Sequence, residues 1–146
     1  MEKTKTTIKK ILLSFFTECT AVFLSGGLLY CFMEIIWRSY THITMFFAGG
    51  ICLLLIYLCE MRLIKAPLFA RCILYAAIIT AVEFVFGIVF NIFLGLSVWD
   101  YSSKPFNILG QICPSYFFLW TALSPLTVAY SHGISLSFYY IRKQFA

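Results

Sequence analysis

Long apolar stretches constrain this chain more than any other feature of its sequence. A helix needs about 20 apolar residues to cross the ~30 Å hydrocarbon core of a bilayer. Stretches of about that length lie at residues 11–36, 43–60, 72–96 and 106–124. A soluble domain carries about 25% charged residues, whereas this chain has 12% charged and 62% hydrophobic residues. The sequence therefore excludes a soluble globular protein and predicts an all-α polytopic membrane bundle.

The predicted architecture is one integral membrane domain over residues 1–146, with four transmembrane helices arranged as two tandem hairpins. Ser124-Pro125 is expected to end or kink the fourth helix, because proline lacks the N–H that a helix interior needs. Residues 126–141 then predict a C-terminal interfacial helix, with a fifth span as the alternative. The first apolar stretch follows a basic segment without a small-residue cleavage site, which indicates a retained signal anchor.

The basic residues predict the orientation of the chain in the membrane. With four spans, the ends of the chain and the central loop share one side, and Arg38 and Lys104 lie on the other. Because cytoplasmic loops are rich in Lys and Arg, we expect a plasma-membrane protein with both termini cytoplasmic. The formal net charge of +5 is divided among short segments, so the expected partner is the lipid bilayer and not nucleic acid. The residues on the predicted cytoplasmic side are Lys3, Lys5, Lys9, Lys10, Arg62, Lys65, Arg71, Arg142 and Lys143.

The two predicted hairpins resemble each other in sequence. The run 20–22, followed by Gly27, matches the run 80–82, followed by Gly87, without a gap. Trp37 then matches Trp99 with a small offset. An internal repeat of this kind predicts a pseudo-two-fold axis along the membrane normal, with a site between the halves. The alternative is the ordinary similarity of any two apolar hairpins.

Polar residues recur at helical spacing within the apolar stretches. Tyr30, Glu34 and Arg38 share one face of the first helix, where Glu34 and Arg38 can pair. Glu83 and Asn91 form a stripe on the third helix, and Glu83 falls near the middle of its span, where a carboxylate is most costly. We therefore expect Glu83 to meet a cation or a hydrogen-bond donor, or to be protonated.

Further polar and aromatic residues follow the third span. Asn107 and Gln111 form a predicted stripe at the start of the fourth helix. These stripes are expected to converge into a substrate-binding pocket. His42, Trp99, Asp100 and Tyr101 are expected at its mouth. Structural alternatives remain: an ion pair at a helix end, amides that join helices, interfacial aromatic residues, and a histidine that begins a helix. The predicted substrate-binding residues are Glu34, Arg38, His42, Glu83, Asn91, Trp99, Asp100, Asn107 and Gln111.

The residues between about 26 and 120 carry a family resemblance. The pattern begins with Glu34-x-x-x-Arg38-x-x-Thr41-His42, continues through Gly49-Gly50 and Glu83-x-x-x-Gly87-x-x-x-Asn91, and ends with the motif from Trp99 to Cys113. It resembles the CmpB-like family of type IV ABC-transporter proteins. Ser39 departs from the glycine usual after the arginine. The resemblance implies a multi-pass plasma-membrane protein.

The leading functional hypothesis is a transporter or permease-like component whose pocket binds a small polar or cationic solute. No G-x-x-x-x-G-K-[ST] loop is present, so nucleotide hydrolysis by that route is not expected, and a homo-oligomer or partner subunits would complete a transporter. The alternatives are an intramembrane enzyme acting on a lipid, with Asp100, His42 and Glu34 as acid–base candidates, and a non-catalytic scaffold. We expect no cofactor or metal, and we expect the six cysteines to be packing residues.

Overall fold

In a computed structural model, residues 2–144 form four long helices joined by two short loops and one long loop. The structure describes the backbone of residues 2–144 and the side chains of residues 13–144, so the predicted basic cluster of Lys3, Lys5, Lys9 and Lys10 lies outside the described side chains. The helices are α1 (Glu2–Arg38), α2 (Ile43–Leu63), α3 (Leu68–Phe86), which continues into a π-helical segment (Gly87–Phe93), and α4 (Pro114–Gln144).

Within the described part of the chain, three helical stretches are long and apolar enough to cross a membrane. They are Leu13–Arg38, Ile43–Leu63 and Leu68–Phe93. Large apolar side chains such as Phe16, Leu28 and Phe69 are exposed on their outer faces. Lipid can cover such faces, whereas water would not.

Small residues bring α1 and α2 into close contact along their length. A Cβ on Gly26 would lie 2.6 Å from Leu53 Cβ and 2.8 Å from the Gly49 carbonyl oxygen, so glycine is required for this approach. Small residues at helix interfaces allow such packing in membranes, where dispersion contacts drive association. The α1–α2 hairpin therefore forms one rigid wall of the protein, and α3 packs mainly with α4 on the other side.

The fourth helix differs from its predicted bounds at both ends. It begins at Pro114 and not near residue 106, because Phe106, Leu109 and Gly110 adopt positive φ values of 55°, 51° and 68° that interrupt a helix. It also continues through Pro125 to Gln144 as one helix, so the predicted separate helix over 126–141 is wrong.

Hydroxyl groups on both sides of the proline in α4 bond to backbone carbonyls. Pro125 cannot donate to the carbonyl one turn earlier. Around it, Ser124 Oγ donates to the Trp120 carbonyl at 2.7 Å and Thr127 Oγ1 donates to the Ser124 carbonyl at 2.8 Å. Serine and threonine commonly satisfy backbone groups near proline in membrane helices.

The loops of the two hairpins differ, which limits the predicted repeat. Residues 39–42 join α1 to α2, whereas residues 94–113 join the π-helical segment to α4. Trp37 is 74% exposed but its sequence counterpart Trp99 is 8% exposed. Matched positions near Gly49 are helical, while those near Gly110 lie in the loop. The sequence similarity between the two hairpins therefore does not correspond to equivalent structure after the first helix of each hairpin.

Candidate functional site

A cavity of about 330 Å³ lies between α1, α3, α4 and the long loop. We call this space the Glu83 cavity. Four of the predicted substrate-binding residues line it, namely Glu34, Arg38, Glu83 and Trp99. The other walls are mostly aromatic and aliphatic, namely Tyr30, Met33, Ile36, Trp37, Met45, Tyr101, Tyr116, Leu119, Trp120 and Leu123.

Glu83 occupies the buried part of this cavity and is 3% exposed. The Tyr30 hydroxyl donates to Glu83 Oε1 at 2.8 Å, and the Trp120 indole N–H donates to Oε2 at 3.1 Å. Each carboxylate oxygen therefore has one neutral donor, but no Lys, Arg or His contacts either oxygen in the described part of the chain. A buried carboxylate is costly unless charge is compensated, so this position favours an external cation or a proton.

Glu34 and Arg38 form an ion pair in the wall of the same cavity. Arg38 Nη2 lies 2.6 Å from Glu34 Oε1, and the Thr41 hydroxyl donates to Oε2 at 2.6 Å. Arg38 Nη1 also donates to the Val98 carbonyl at 2.8 Å. The pair is internally neutral, and it ties the end of α1 to the long loop, because the arginine guanidinium has several donors that can bond to different acceptors.

Aromatic rings form much of the remaining wall. The rings of Tyr30 and Trp120 lie 5.8 Å apart, and those of Tyr101 and Tyr116 stack at 4.3 Å. Burial raises the pKa of the Tyr101 phenol, and the nearby Glu83 carboxylate raises it further. Tyr101 therefore remains neutral, and the wall presents π faces next to a single uncompensated acid.

Asn91 and Gln111 meet each other outside the cavity lining. Asn91 Nδ2 donates to Gln111 Oε1 at 2.7 Å and to the Trp99 carbonyl at 3.0 Å, while Asn91 Oδ1 accepts from the Val98 N–H at 2.7 Å. The Trp99 indole N–H donates to the Gln111 carbonyl at 2.9 Å. These amides hold Val98 and the cavity-lining residue Trp99 in place.

The π-helical segment explains why Asn91 does not share polar partners with Glu83. A π-helix bonds residue i to i+5 and so winds more residues into each turn. Positions after Gly87 consequently rotate away from the stripe predicted for a regular α-helix. Gln111 packs directly against Gly87, where any Cβ would lie 2.8 Å from Gln111 Cβ.

The remaining predicted residues stabilise local turns and do not line the cavity. His42 Nδ1 accepts the Thr44 N–H at 3.3 Å and caps α2. Asp100 accepts the Ser102 N–H at 2.8 Å and the Ser102 hydroxyl at 2.9 Å, which lowers the pKa of the exposed Asp100 carboxyl. Asn107 bonds to three backbone groups of the same loop, at Ser102, Lys104 and Gly110.

Two further buried acids carry contacts that sequence patterns did not indicate. Glu18 is 2% exposed; it accepts from the Tyr57 hydroxyl and pairs with Arg142 at 2.7 Å. Glu60 is 3% exposed and pairs with Arg71, while the Tyr75 hydroxyl donates to its second oxygen. His132 Nε2 lies 2.9 Å from Glu60 Oε1.

These pairs set Glu83 apart from the other buried and half-buried acids. Glu18, Glu34 and Glu60 each have an arginine partner within the protein. Glu83 has only a tyrosine and a tryptophan. The signal available in the sequence was its mid-span position; the donors came from other helices. Among the described residues, no group of three or more His, Cys, Asp or Glu side chains could hold a metal ion.

A family model described as "Putative ABC-transporter type IV" matches residues 21–146, which include every residue that lines the Glu83 cavity. The chain belongs to this family. As a member of the type IV ABC-transporter family with three membrane-capable helices, it is a membrane protein. No curated protein and no solved structure matches the chain significantly.

Proposed function

We propose that this type IV family member is a transporter or permease-like component of the plasma membrane, and that its Glu83 cavity binds a small polar or cationic solute. The observation that carries the proposal is Glu83 itself, a buried carboxylate that faces a cavity without a basic partner. Intramembrane acids of this kind commonly mark ion, proton or substrate pathways. Glu83 would hold the positive charge of the solute or a coupled proton.

The ion pair of Glu34 and Arg38 would control the loop side of the cavity. Arg38 bonds at once to Glu34 on its own helix and to Val98 in the loop. Movement of the loop must therefore change the environment of this pair. We propose that the pair orients the solute or gates its access, while Asn91 and Gln111 position the loop wall.

The proposed membrane arrangement retains four spans as two hairpins, with α4 as the fourth and both termini cytoplasmic. Along α4, Trp120 contacts Glu83 and His132 contacts Glu60, near the end of α2. The helix thus extends beside the membrane-capable helices over much of their length. A bundle of this size would function as a homo-oligomer or with partner membrane subunits.

Transport in proteoliposomes tests this function directly. We use radiolabelled tetramethylammonium as the probe, since it carries a positive charge without a hydrogen-bond donor. Wild-type protein should accumulate the probe above protein-free liposomes, and Glu83→Gln should lose this accumulation. Asp100→Asn is the matched control, because its carboxyl group is exposed and outside the cavity lining. Equal uptake by wild type and Glu83→Gln would contradict the proposal.

A scaffold role is the second candidate, because several predicted site residues are fully engaged in local structure. Asn91, Asn107 and Asp100 each bond within the loop region. If the Glu83→Gln variant alters only thermal stability and the wild type transports no probe, the scaffold role is favoured. The enzyme alternative has weaker support, since neither His42 nor Asp100 lines the cavity.

A further inference from the structure

A second cavity of about 300 Å³ adjoins the Glu83 cavity and is named here the tail chamber. The two cavities share Tyr30, Met33, Trp120 and Leu123 in their walls. The tail chamber continues from these residues along the space between α1, α2 and α4. Its other lining residues include Leu29, Leu53, Ser124, Leu126 and Thr127.

The tail chamber offers almost no unsatisfied polarity to a ligand. No charged side chain lines it. Its serine and threonine hydroxyls are engaged, with Ser124 bonded to the Trp120 carbonyl and Thr127 to the Ser124 carbonyl. The tail chamber is therefore suited to an apolar chain. Of the two adjoining cavities, only the Glu83 cavity is lined by charged side chains.

The combined space opens sideways on the apolar surface of the bundle. α1 and α4 make little contact with each other, and the lining residues Leu29, Met33 and Leu126 are 43%, 40% and 67% exposed. A hydrocarbon chain could therefore enter between α1 and α4 from the bilayer without crossing a polar barrier.

We propose that this continuous groove binds an amphiphilic cation, with a substituted ammonium head in the Glu83 cavity and an alkyl chain in the tail chamber. The inference rests on the proposed function, because it uses the same solute site and names the class of solute. The groove has a charged, aromatic end that leads directly into an apolar end. The charged head and the alkyl chain of such a ligand follow each other in the same way.

The chemistry of the head site favours a quaternary ammonium over a primary amine. Both carboxylate oxygens of Glu83 already accept a hydrogen bond, from Tyr30 and from Trp120. A quaternary ammonium has no N–H to place, and it is attracted by the negative charge and by aromatic faces. Tyr101, Trp99 and Trp120 supply such faces in the same cavity.

Two sources could supply this chemistry. One is a free alkylammonium amphiphile, and the other is the choline head of a phospholipid with its acyl chain. Both place a quaternary ammonium near Glu83 and a hydrocarbon chain beside Leu29.

Binding to the full chain in phosphatidylglycerol nanodiscs tests the inference. We compare radiolabelled dodecyltrimethylammonium with tetramethylammonium, which has the head alone, and subtract partitioning into empty nanodiscs. Leu29→Trp should fill the tail chamber and weaken the binding of dodecyltrimethylammonium by about tenfold, a change of about 1.4 kcal/mol. The binding of tetramethylammonium should not change. Leu28→Trp is the matched control, because Leu28 is 64% exposed and lines neither cavity.

The outcomes separate the inference from the proposed function. Glu83→Gln should weaken both probes by roughly a hundredfold, because it removes one member of a buried charge pair. If Glu83→Gln weakens both probes but Leu29→Trp weakens neither, the tail chamber is not used and only the head site stands. If Glu83→Gln changes neither probe, both the inference and the proposed function are wrong.

Carbodiimide labelling provides a test that needs no variant. Dicyclohexylcarbodiimide modifies carboxyl groups in apolar surroundings, and mass spectrometry locates the modified residue. Dodecyltrimethylammonium should protect Glu83 in the wild-type protein at lower concentration than tetramethylammonium. Equal protection by the two probes, after correction for partitioning, would overturn the use of the tail chamber.

Lipid composition then identifies the source of the ligand. Adding phosphatidylcholine to the nanodiscs should weaken dodecyltrimethylammonium if the choline lipid occupies the groove. Unchanged binding would assign the groove to free amphiphiles. This lipid comparison is made once Leu29→Trp has been found to weaken the binding of dodecyltrimethylammonium.

Discussion

Tyr30 on α1 donates a hydrogen bond of 2.8 Å to Glu83 on α3, 53 residues later in the chain. The contact joins the two hairpins across the cavity and occupies one oxygen of the carboxylate. With Trp120 on the other oxygen, Glu83 is held by donors from α1 and α4. Its charge therefore has a defined position but no internal counterion.

Removing the Tyr30 hydroxyl should lower the stability of the protein, because the contact with Glu83 is lost. Tyr30→Phe keeps the ring beside Trp120 but leaves Glu83 Oε1 without its donor, and we expect a loss of about 1–2 kcal/mol in the free energy of unfolding. The measurement is SDS-induced unfolding in mixed micelles. Tyr40→Phe is the control, because Tyr40 is 49% exposed. An equal effect of the two substitutions would contradict the role given to Tyr30.

Asn91 should determine the order of the long loop. Its side chain accepts the Val98 N–H and donates to the Trp99 carbonyl. We expect Asn91→Ala to accelerate hydrogen exchange at Val98 by about tenfold, consistent with the loss of about 1.4 kcal/mol of local stability. Ile92→Ala, next in the chain and 48% exposed, should leave exchange unchanged. Unaltered exchange in Asn91→Ala would show that the loop is held by other contacts.

The pair of Glu60 and Arg71 should be a major structural contact. Both side chains are mostly buried, at 3% and 11% exposure. Glu60→Gln leaves the Arg71 charge without its partner, and we expect a cost of roughly 3 kcal/mol in unfolding free energy. Combining it with Arg71→Met should recover part of that loss. Arg62→Gln, at an exposed position of α2, is the control and should change stability by less than about 0.5 kcal/mol.

Asp100 should titrate below an ordinary aspartate in the folded loop. The Ser102 N–H and hydroxyl stabilise its charged form and lower its pKa. Because the folded pKa lies below the unfolded pKa, this contribution to loop stability is present above the unfolded pKa and is lost as the pH falls through the folded pKa. A ¹³C NMR titration of the carboxyl group measures it. Ser102→Ala removes the hydroxyl but keeps the N–H donor, so it should raise the Asp100 pKa, and an identical pKa in both proteins would exclude the Ser102 hydroxyl as a cause.

The helices could largely be predicted from apolar length, but the features that shape the cavity could not. Glu83 was identified from its mid-span position and its helical spacing with Asn91. Its partners Tyr30 and Trp120 come from other helices, and their approach depends on how each helix is rotated. The π-helical segment at Gly87–Phe93 changed that rotation for Asn91, and no residue pattern indicated the change.

The end of the third hydrophobic stretch and the start of the fourth show a second limit. The run from Phe106 is apolar enough for a helix, yet Phe106, Leu109 and Gly110 have positive φ values. The bonds of Asn107 to its own loop stabilise this conformation at the expense of a helix. Apolar composition thus predicted the three membrane-capable helices, while side-chain to backbone bonds decided where α4 begins.

The most direct test locates a quaternary cation relative to Glu83. Crystals grown in a lipid mesophase and soaked with tetramethylarsonium, an isostere of tetramethylammonium, would give an anomalous arsenic signal. We expect one peak in contact with the Glu83 carboxylate and the Trp99, Tyr101 and Trp120 rings, and no such peak in Glu83→Gln. A peak elsewhere, or a wild-type cavity that stays empty at saturating probe, would contradict Glu83 as the cation site.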